Sequence, residues 1–265
     1  AKYQMKQYTL LRNKKNKEQF IDKMEVTLSC VILLFLWQII ALKIDNDIFL
    51  PTVGQVFNSI KEIMLNSSFY IDILYSMGRC FFSFLLAMIF AIILSIVSYL
   101  NRFFRNLLKP INALTRSIPT MILVVLALIW FEKDSTPFIV GFTIVFPILY
   151  DNVLGAILNI DKNLLEMANV YKIRFIDKVL KIYLPAIKFQ IISILVSTFS
   201  LSLKVAIAGE VYSQPTYGIG TMIQTEKINF NTSGIFAWII IVLLISAILQ
   251  IAQKFLARRA FLWKR

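Results

Sequence analysis

The sequence predicts an all-α, polytopic membrane protein with about six transmembrane helices. Of its 265 residues, 58% are hydrophobic and only 16% are charged, and the mean hydropathy is +0.72. A water-soluble domain of this length would carry more charge. The apolar residues also form long runs, and a helix needs about 20 of them to cross a bilayer. These observations indicate an integral membrane protein.

The basic residues indicate how the chain is oriented. The net charge is +13, and 21 of the 28 basic residues lie in four segments on alternate sides of successive apolar runs. Basic segments of this kind mark the cytoplasmic side. We therefore expect a bacterial cell (inner, cytoplasmic) membrane protein with both termini in the cytoplasm and no nucleic-acid partner. The basic residues concerned are Lys2, Lys6, Arg12, Lys14, Lys15, Lys17, Lys23, Arg102, Arg105, Lys109, Arg116, Lys162, Lys172, Arg174, Lys178, Lys181, Lys254, Arg258, Arg259, Lys264 and Arg265.

Two spans and one amphipathic helix are predicted in the first hundred residues. The first apolar run, residues 26–42, is long enough to span. An amphipathic helix is then predicted over residues 53–65 on the outer side. Pro51 suits the start of this helix, because the N–H that proline lacks is unpaired there in any case. The second span is predicted over residues 76–100.

The third apolar run, residues 118–131, is shorter than a comfortable span. Two alternatives follow: the span starts earlier, near Ile111, or it is tilted and broken at Pro119. Glu132, Lys133 and Asp134 are predicted to form a tight external turn after it. Three further spans are predicted over residues 137–158, 182–208 and 233–255, with a polar, glycine-containing segment at 209–232.

Proline and glycine interrupt the fourth span. Gly141, Pro147 and Asp151 lie inside it. Such residues are tolerated in a membrane where neighbouring helices satisfy the freed backbone groups. The helices concerned either line a path or are kinked for packing.

The charged segment at residues 159–185 separates two apolar runs. Its apolar residues fall roughly on one stripe at helical spacing. It is either a solvated connection or a docking helix whose stripe inserts into a groove on a partner. The stripe consists of Leu164, Leu165, Ala168, Tyr171 and Phe175.

This segment resembles the cytoplasmic signature of permease subunits of ATP-binding cassette (ABC) importers. That signature reads E-A-A, three residues, G, nine residues, I-x-L-P. The chain has Glu166, Met167 and Ala168, then Lys172, then Ile182, Leu184 and Pro185 at the same spacing. Lys172 replaces the glycine at which the family chain turns between two short helices. If the backbone there is left-handed, a non-glycine residue costs about 1–2 kcal/mol.

The resemblance covers most of residues 49–256 and is greatest to permeases for nitrate, sulfonates, taurine and thiamine precursors. Six short motifs occur in the family's order. They are L-P-T at 50–52, S-M-G-R at 76–79, R-S-I-P at 116–119, I-W-F at 129–131, A-G-E at 208–210 and Y-G-I-G at 217–220.

The resemblance implies the type I ABC importer permease fold and a set of partners. These are a second copy of the permease, two cytoplasmic ATP-binding cassette ATPase subunits and an extracytoplasmic substrate-binding protein, besides membrane lipid. It divides the chain into a basic N-terminal segment (1–25), a transmembrane permease domain (26–256, with the coupling loop at 159–185) and a basic tail (257–265). The residues expected to couple to the ATPase are Leu164, Leu165, Glu166, Ala168, Tyr171, Lys172, Ile182, Leu184 and Pro185.

No cofactor is expected in this chain. It has no G-x-x-x-x-G-K-[ST] phosphate loop, so ATP and Mg are expected in the partner ATPase. It also has no histidine, and its two cysteines give no disulfide framework. We therefore expect no catalytic and no metal site, and a chain that is not an enzyme. The expected solute is small and anionic, zwitterionic or heteroaromatic.

Charged residues in or beside the apolar runs are the candidates for the translocation path, because a charge in a bilayer usually faces a protein interior or a water-filled cavity. Lys204 and Glu210 lie six residues apart, about 9 Å along a helix and on different faces. Their partners are therefore expected on other helices or in the second copy. Lys204 either lines the path or forms an internal ion pair, and Arg79 and Lys188 are alternatively interfacial, snorkelling side chains. The candidate path residues are Arg79, Pro119, Lys204, Glu210, Tyr217, Gly218 and Gly220.

Other readings remain for this chain. A stand-alone secondary carrier or channel is one alternative, but it is expected to show inverted repeats or carboxylate relays, and neither is found. A membrane-embedded enzyme is disfavoured by the lack of histidine and of a nucleophile beside a base. Residues 212–221 are expected to form an external turn near an outer gate, or an ordinary loop.

Overall fold

The computed structural model describes residues 2–261, with the backbone alone for residues 2–21, 23, 189, 193, 196, 253, 254 and 256–261. Every regular element in this range is a helix, which confirms the all-α class. The helices are α1 (Lys2–Ile44), α2 (Val53–Leu65), α3 (Phe69–Leu100), α4 (Arg102–Ser117), α5 (Thr120–Trp130), α6 (Thr136–Leu158), α7 (Lys162–Val170), α8 (Phe175–Lys178), a π-helical turn (Val179–Tyr183), α9 (Leu184–Ser213), α10 (Ile219–Ile228) and α11 (Thr232–Phe261).

The number of spans agrees with the prediction of about six. Within the described residues, four helical stretches are long and apolar enough to cross a membrane, and two bent helix pairs raise the number to six if each pair is one span. The basic residues of the N-terminal segment 1–25, Lys254 and the basic residues of the tail 257–265 have side chains outside the described part of the chain. The four stretches are Met24–Ile44, Phe69–Leu100, Thr136–Leu158 and Thr232–Ala252.

The helix through the third apolar run is broken at Pro119, as in the second of the two alternatives. α4 ends before this proline and α5 begins after it, and the two axes are bent by 107°. A proline disfavours helical backbone at the residue that precedes it. Ile118, which precedes Pro119, is accordingly extended, with φ −76° and ψ 126°. α5 has 11 residues and is therefore about 16 Å long, half of the roughly 30 Å hydrocarbon core.

The amphipathic helix α2 occupies the predicted residues, but Pro51 is not its first residue. Thr52 is the N-cap, and its hydroxyl accepts from the backbone N–H of Gln55 while the Gln55 side chain accepts from the backbone N–H of Thr52. This reciprocal capping box fixes the start at Val53. Pro51 precedes the cap, and its carbonyl accepts from Trp37 Nε1 on α1 at 3.0 Å.

Helices α3, α6 and α9 form the centre of the bundle. α3 packs most extensively on α6, and α6 packs next most extensively on α9. Small residues allow the backbones of α3 and α6 to approach closely. A Cβ on Gly141 of α6 would lie only 2.9 Å from Ser83 Oγ of α3. The buried small residues of α3 recur every four positions, at Ser83, Ala87, Ala91 and Ser95.

The two ends of this bundle differ. We call the end that carries the connection between α6 and α9 (residues 159–183) the basic end. We call the end that carries the turns between α5 and α6 and between α9 and α10 the opposite end. Because α9 runs between them, it connects the segment 159–185 to the turn that contains Tyr217 and Gly218.

Candidate functional sites

At the basic end, α7 and α8 form a short helical hairpin. Asp161 caps α7, since its carboxylate accepts from the Asn163 backbone N–H at 2.9 Å. The hairpin is held together by Lys178 Nζ of α8, which donates to Asn169 Oδ1 of α7 at 2.6 Å. We call residues 162–178 the basic-end hairpin.

Lys172 turns the chain between these two helices in a left-handed conformation, with φ 51°. The N–H of Lys172 donates to the Asn169 carbonyl at 2.9 Å, and the N–H of Ile173 donates to the Ala168 carbonyl at 3.0 Å. This pair of bonds is the Schellman motif, in which the residue after the C-cap is usually glycine. Lys172 therefore adopts a backbone conformation that favours glycine, at a cost of about 1–2 kcal/mol.

The prediction of a single apolar stripe over 164–175 is wrong, because α7 ends at Val170 and Lys172 redirects the chain. Ala168 is fully buried, whereas Tyr171 is 75% exposed. The base of the hairpin rests on the bundle, where Leu165 and Ile182 pack with the buried residues Val153 and Ile157 of α6. The apolar side chains that remain exposed on the hairpin are Leu164, Met167, Val170, Tyr171, Phe175 and Ile176.

The other predicted residues of this segment lie on and after the hairpin. Glu166 is exposed on α7, away from the buried Ala168. Leu184 and Pro185 begin α9 directly after the π-helical turn. Proline suits this first turn, because the N–H that it lacks would have no helical partner there.

At the opposite end, Glu210 of α9 is completely buried and accepts three hydrogen bonds. Its donors are Arg79 Nη1 at 2.9 Å, Ser76 Oγ at 2.7 Å and the Gly220 backbone N–H at 3.0 Å. A buried carboxylate is tolerated only when it is paired and hydrogen-bonded in this way.

Asp72, Ser76 and Arg79 share one face of α3, at positions i, i+4 and i+7. Asp72 accepts from the Gly218 N–H at 3.0 Å, and Ser76 Oγ accepts from the Ile219 N–H at 2.8 Å. Together with Glu210, these side chains accept from three consecutive N–H groups at the start of α10. The first N–H groups of a helix have no partner within the helix and carry partial positive charge, which two carboxylates offset.

Arg79 extends this network to a third element. It donates to the carbonyls of Tyr217 at 2.6 Å and Asp134 at 3.2 Å. The Asp134 carboxylate accepts in turn from the Thr216 backbone N–H at 2.8 Å and lies 3.6 Å from Arg79 Nη2. The opposite-end cluster, as we call it, therefore joins α3, the turn before α6 and the turn before α10. Its side chains are Asp72, Ser76, Arg79, Asp134 and Glu210.

Two glycines allow the backbone to approach this carboxylate. Gly218 has φ 156°, and a Cβ there would lie 2.8 Å from Glu210 Cδ. A Cβ on Gly220 would lie 2.5 Å from the Ile207 carbonyl oxygen and 2.5 Å from Glu210 Cβ. No side chain fits at either position, which explains the Y-G-I-G motif.

A mainly apolar groove of about 800 Å³ opens beside the opposite-end cluster. Leu74, Phe82 and Phe138 contribute to its apolar wall, and Arg79 and Asp134 form its polar edge.

Of the candidate path residues, the structure brings together Arg79, Glu210, Tyr217, Gly218 and Gly220. Pro119 and Lys204 are not part of this group. Lys204 is exposed and, among the described residues, forms no ion pair, while Glu210 pairs with another helix as the six-residue spacing predicted. The alternative of a snorkelling Arg79 is wrong, because its side chain is only 10% exposed and is paired.

Sequence reasoning missed Asp72 and did not assign Asp134 to a site. The spacing of Asp72, Ser76 and Arg79 on one helix face is a signal that could have identified the first. Nothing local identifies Asp134, because its partners Arg79 and Thr216 are distant in sequence.

A multi-span helical bundle with a polar cluster at one end and an exposed hairpin at the other agrees with a membrane transport permease, the class that the family match shows. The chain belongs to the family of binding-protein-dependent transport system inner membrane components, whose family model matches residues 83–262. The chain is accordingly a permease subunit of the ABC importer kind and not an enzyme.

Similar proteins cover nearly the whole chain. One, from Methanocaldococcus jannaschii, is named as an ABC transporter permease and is 25% identical over 94% of both chains. Another is named as the aliphatic sulfonates transport permease SsuC of Bacillus subtilis. It is 25% identical over 88% of this chain and 85% of its own length. An inward-facing structure of the MetNI methionine ABC transporter matches 70% of this chain and 93% of its own. Its TM-score is 0.61 at 16% identity, which confirms the type I importer permease fold.

The ion pair of the opposite-end cluster should contribute strongly to stability. Arg79→Met or Glu210→Gln is expected to destabilise the purified protein by about 3–5 kcal/mol, because each leaves a buried group without its partner. The double variant should lose less than the sum. Thermal melting in detergent measures this, with Lys181→Gln as the control, since its ion pair with Asp177 is exposed. Equal melting of Glu210→Gln and the parent would contradict the assignment.

The left-handed backbone at Lys172 predicts an unusual glycine effect. Lys172→Gly should be more stable than Lys172→Ala by about 1 kcal/mol, because only glycine adopts this conformation without strain. At Glu166, an exposed residue in the middle of α7, the order should reverse, and glycine should cost about 1 kcal/mol relative to alanine. Thermal melting of the four variants decides, and the same order at both positions would rule out strain at Lys172.

Proposed function

We propose that this chain is the translocation subunit of an ATP-driven importer that moves a small solute into the cytoplasm by alternating access. The observation that carries the proposal is the basic-end hairpin, a pair of short helices that exposes six large apolar side chains. Four of them, Leu164, Met167, Val170 and Tyr171, lie outside every candidate span. Exposed apolar surface of this kind is unfavourable in water and is typical of a docking site. Membership of the importer permease family supports an ATPase as its occupant.

The orientation follows from charge. Arg102, Arg105 and Lys109 lie near the basic end, as do the basic residues of the hairpin. Positive charge is retained on the cytoplasmic side of a membrane. We therefore place the hairpin in the cytoplasm, where ATPase subunits with bound ATP and Mg can reach it. The opposite-end cluster then faces the extracytoplasmic side, where a substrate-binding protein would deliver the solute.

The proposed coupling runs along α9. The hairpin leads through the π-helical turn directly into α9, and Glu210 lies near the other end of that helix. Through Glu210 and Arg79, α9 is held to α3, and through Asp134 to the turn before α6. We propose that closure of two ATPase subunits displaces each hairpin, and that each permease copy then moves as one body against the second copy.

The proposed substrate class rests on the relatives and on one cation. SsuC is named for aliphatic sulfonates, which are small organic anions. Lys204 is exposed on α9 at membrane depth, and such a charge usually faces a water-filled cavity. We propose that Lys204 and Pro119 line the path between the two copies, and that Lys204 favours an anionic or zwitterionic solute. The groove beside Arg79 lies on the proposed entry side.

Tyr171→Asp tests the docking role. When the complex is purified through the permease, the amount of ATPase subunit that co-purifies with this variant should fall at least about tenfold, because burying an unpaired carboxylate costs several kcal/mol. Tyr171 is 75% exposed, so the isolated permease should remain folded. The matched control is Ile228→Asp at the opposite end, where the residue is 61% exposed. Full ATPase recovery with Tyr171→Asp, or equal loss with Ile228→Asp, would refute the assignment.

A further inference from the structure

Helix α4 has two exposed faces of opposite character. At about 100° per residue, Phe103, Leu107, Ile111 and Leu114 lie on one side, and all four are exposed. The other side carries Arg102, Arg105 and Lys109. The helix contains no acidic residue. It is therefore strongly amphipathic, yet its apolar side does not face the core of its own chain.

The two ends of α4 lie at nearly the same level of the bundle. α4 begins directly after α3 ends, where Asn101 caps it by accepting from the Phe103 N–H at 2.9 Å. At its far end, Arg116 bonds Asp151 of α6 at 2.7 Å. Asp151 follows Tyr150, whose hydroxyl donates to Ser98 near the end of α3. Both ends of α4 are thus within about one or two helical turns of the same level, so α4 lies crosswise to α3.

Only one edge of α4 touches the rest of the chain. Asn112 is buried, and Arg105, Leu108 and Thr115 around it are half-buried, while the other residues of α4 are exposed. Arg102 and Lys109 have no ion pair among the described residues, in contrast to Arg116. The arrangement leaves one face open to apolar surroundings and the other open to polar ones.

We propose that α4 is an interfacial helix whose basic face binds the phosphates of anionic lipids in the adjoining leaflet. A helix that lies in the plane of a membrane buries its apolar face among acyl chains and presents lysine and arginine to head groups. Its position beside α3 at the basic end of the bundle places these charges at the head-group level. The charge complementarity favours anionic lipid over a second copy of this chain, which would have to cover an apolar and a basic face at once.

The test uses the whole chain of 265 residues, reconstituted in vesicles of phosphatidylcholine with phosphatidylglycerol. Cys30 is exposed and is replaced by alanine, whereas Cys80 is buried. A fluorophore is attached at Ala113→Cys, on the basic side of α4. Its quenching is measured in two samples, in which the same nitroxide is carried either by phosphatidylglycerol or by phosphatidylcholine. Phosphatidylglycerol should quench the fluorophore more strongly than phosphatidylcholine does. In the double variant Arg102→Gln/Lys109→Gln, the enrichment of phosphatidylglycerol around the fluorophore should fall about fivefold for each of the two charges removed.

The matched control removes two exposed charges from the opposite end, Lys133→Gln/Lys227→Gln, and should leave the enrichment unchanged. Raising the salt concentration should weaken it in the parent chain, which needs no variant in this helix. Equal quenching by both lipids in the parent would overturn the proposal. A fluorophore on Leu107→Cys that acyl-chain nitroxides fail to quench, together with cross-linking of Leu107→Cys between two copies, would assign the apolar face to a second permease instead.

Discussion

The ion pair between Arg79 and Glu210 is the contact on which the opposite end of the molecule depends. Glu210 has no solvent exposure, and its charge is tolerated because an arginine, a serine hydroxyl and a backbone N–H surround it. Glu210 and Ser76, together with Asp72, accept from the first N–H groups of α10, so that helix begins beside the two carboxylates. Gly218 and Gly220 are required for this approach. The ion pair, the start of α10 and the glycine turn are all consequences of burying the Glu210 carboxylate.

Helix α9 connects this ion pair with the proposed site of ATPase binding. It begins beside the basic-end hairpin, is bent by 64° between residues 192 and 197, and ends in the opposite-end cluster. One helix therefore connects the surface proposed to receive the ATPase with the contact that joins three elements. Lys172 adds a second constraint, because a strained left-handed turn separates α7 from α8. The bent pair of α4 and α5 is held differently. Arg116 of α4 forms an ion pair with Asp151 and donates to the carbonyl of Pro147, both on α6.

Much of the fold could be predicted from local patterns. Composition indicated the membrane class, and a short apolar run with Pro119 indicated the break of the third span. The spacing of Glu166 to Pro185 indicated the family, which the match over residues 83–262 confirms. Contacts between distant residues could not be predicted, because hydrophobic periodicity carries no information about which helices meet. Glu210 was expected to pair with another helix, but Arg79 lies 131 residues away. The single stripe over 164–175 failed because helical spacing ignores the turn at Lys172.

In the proposed mechanism the opposite-end cluster stays closed while the transporter works, so that each copy moves as one body. The rings of Tyr75 on α3 and Tyr217 before α10 lie 5.2 Å apart, and both side chains are partly exposed. In a complex with Tyr75→Cys, Tyr217→Cys and Cys30→Ala, a short reducible thiol cross-linker would fix this contact. ATP-driven solute uptake into vesicles is expected to continue after cross-linking. Uptake that stops on cross-linking and returns on reduction would show that the cluster must open, and would contradict the account.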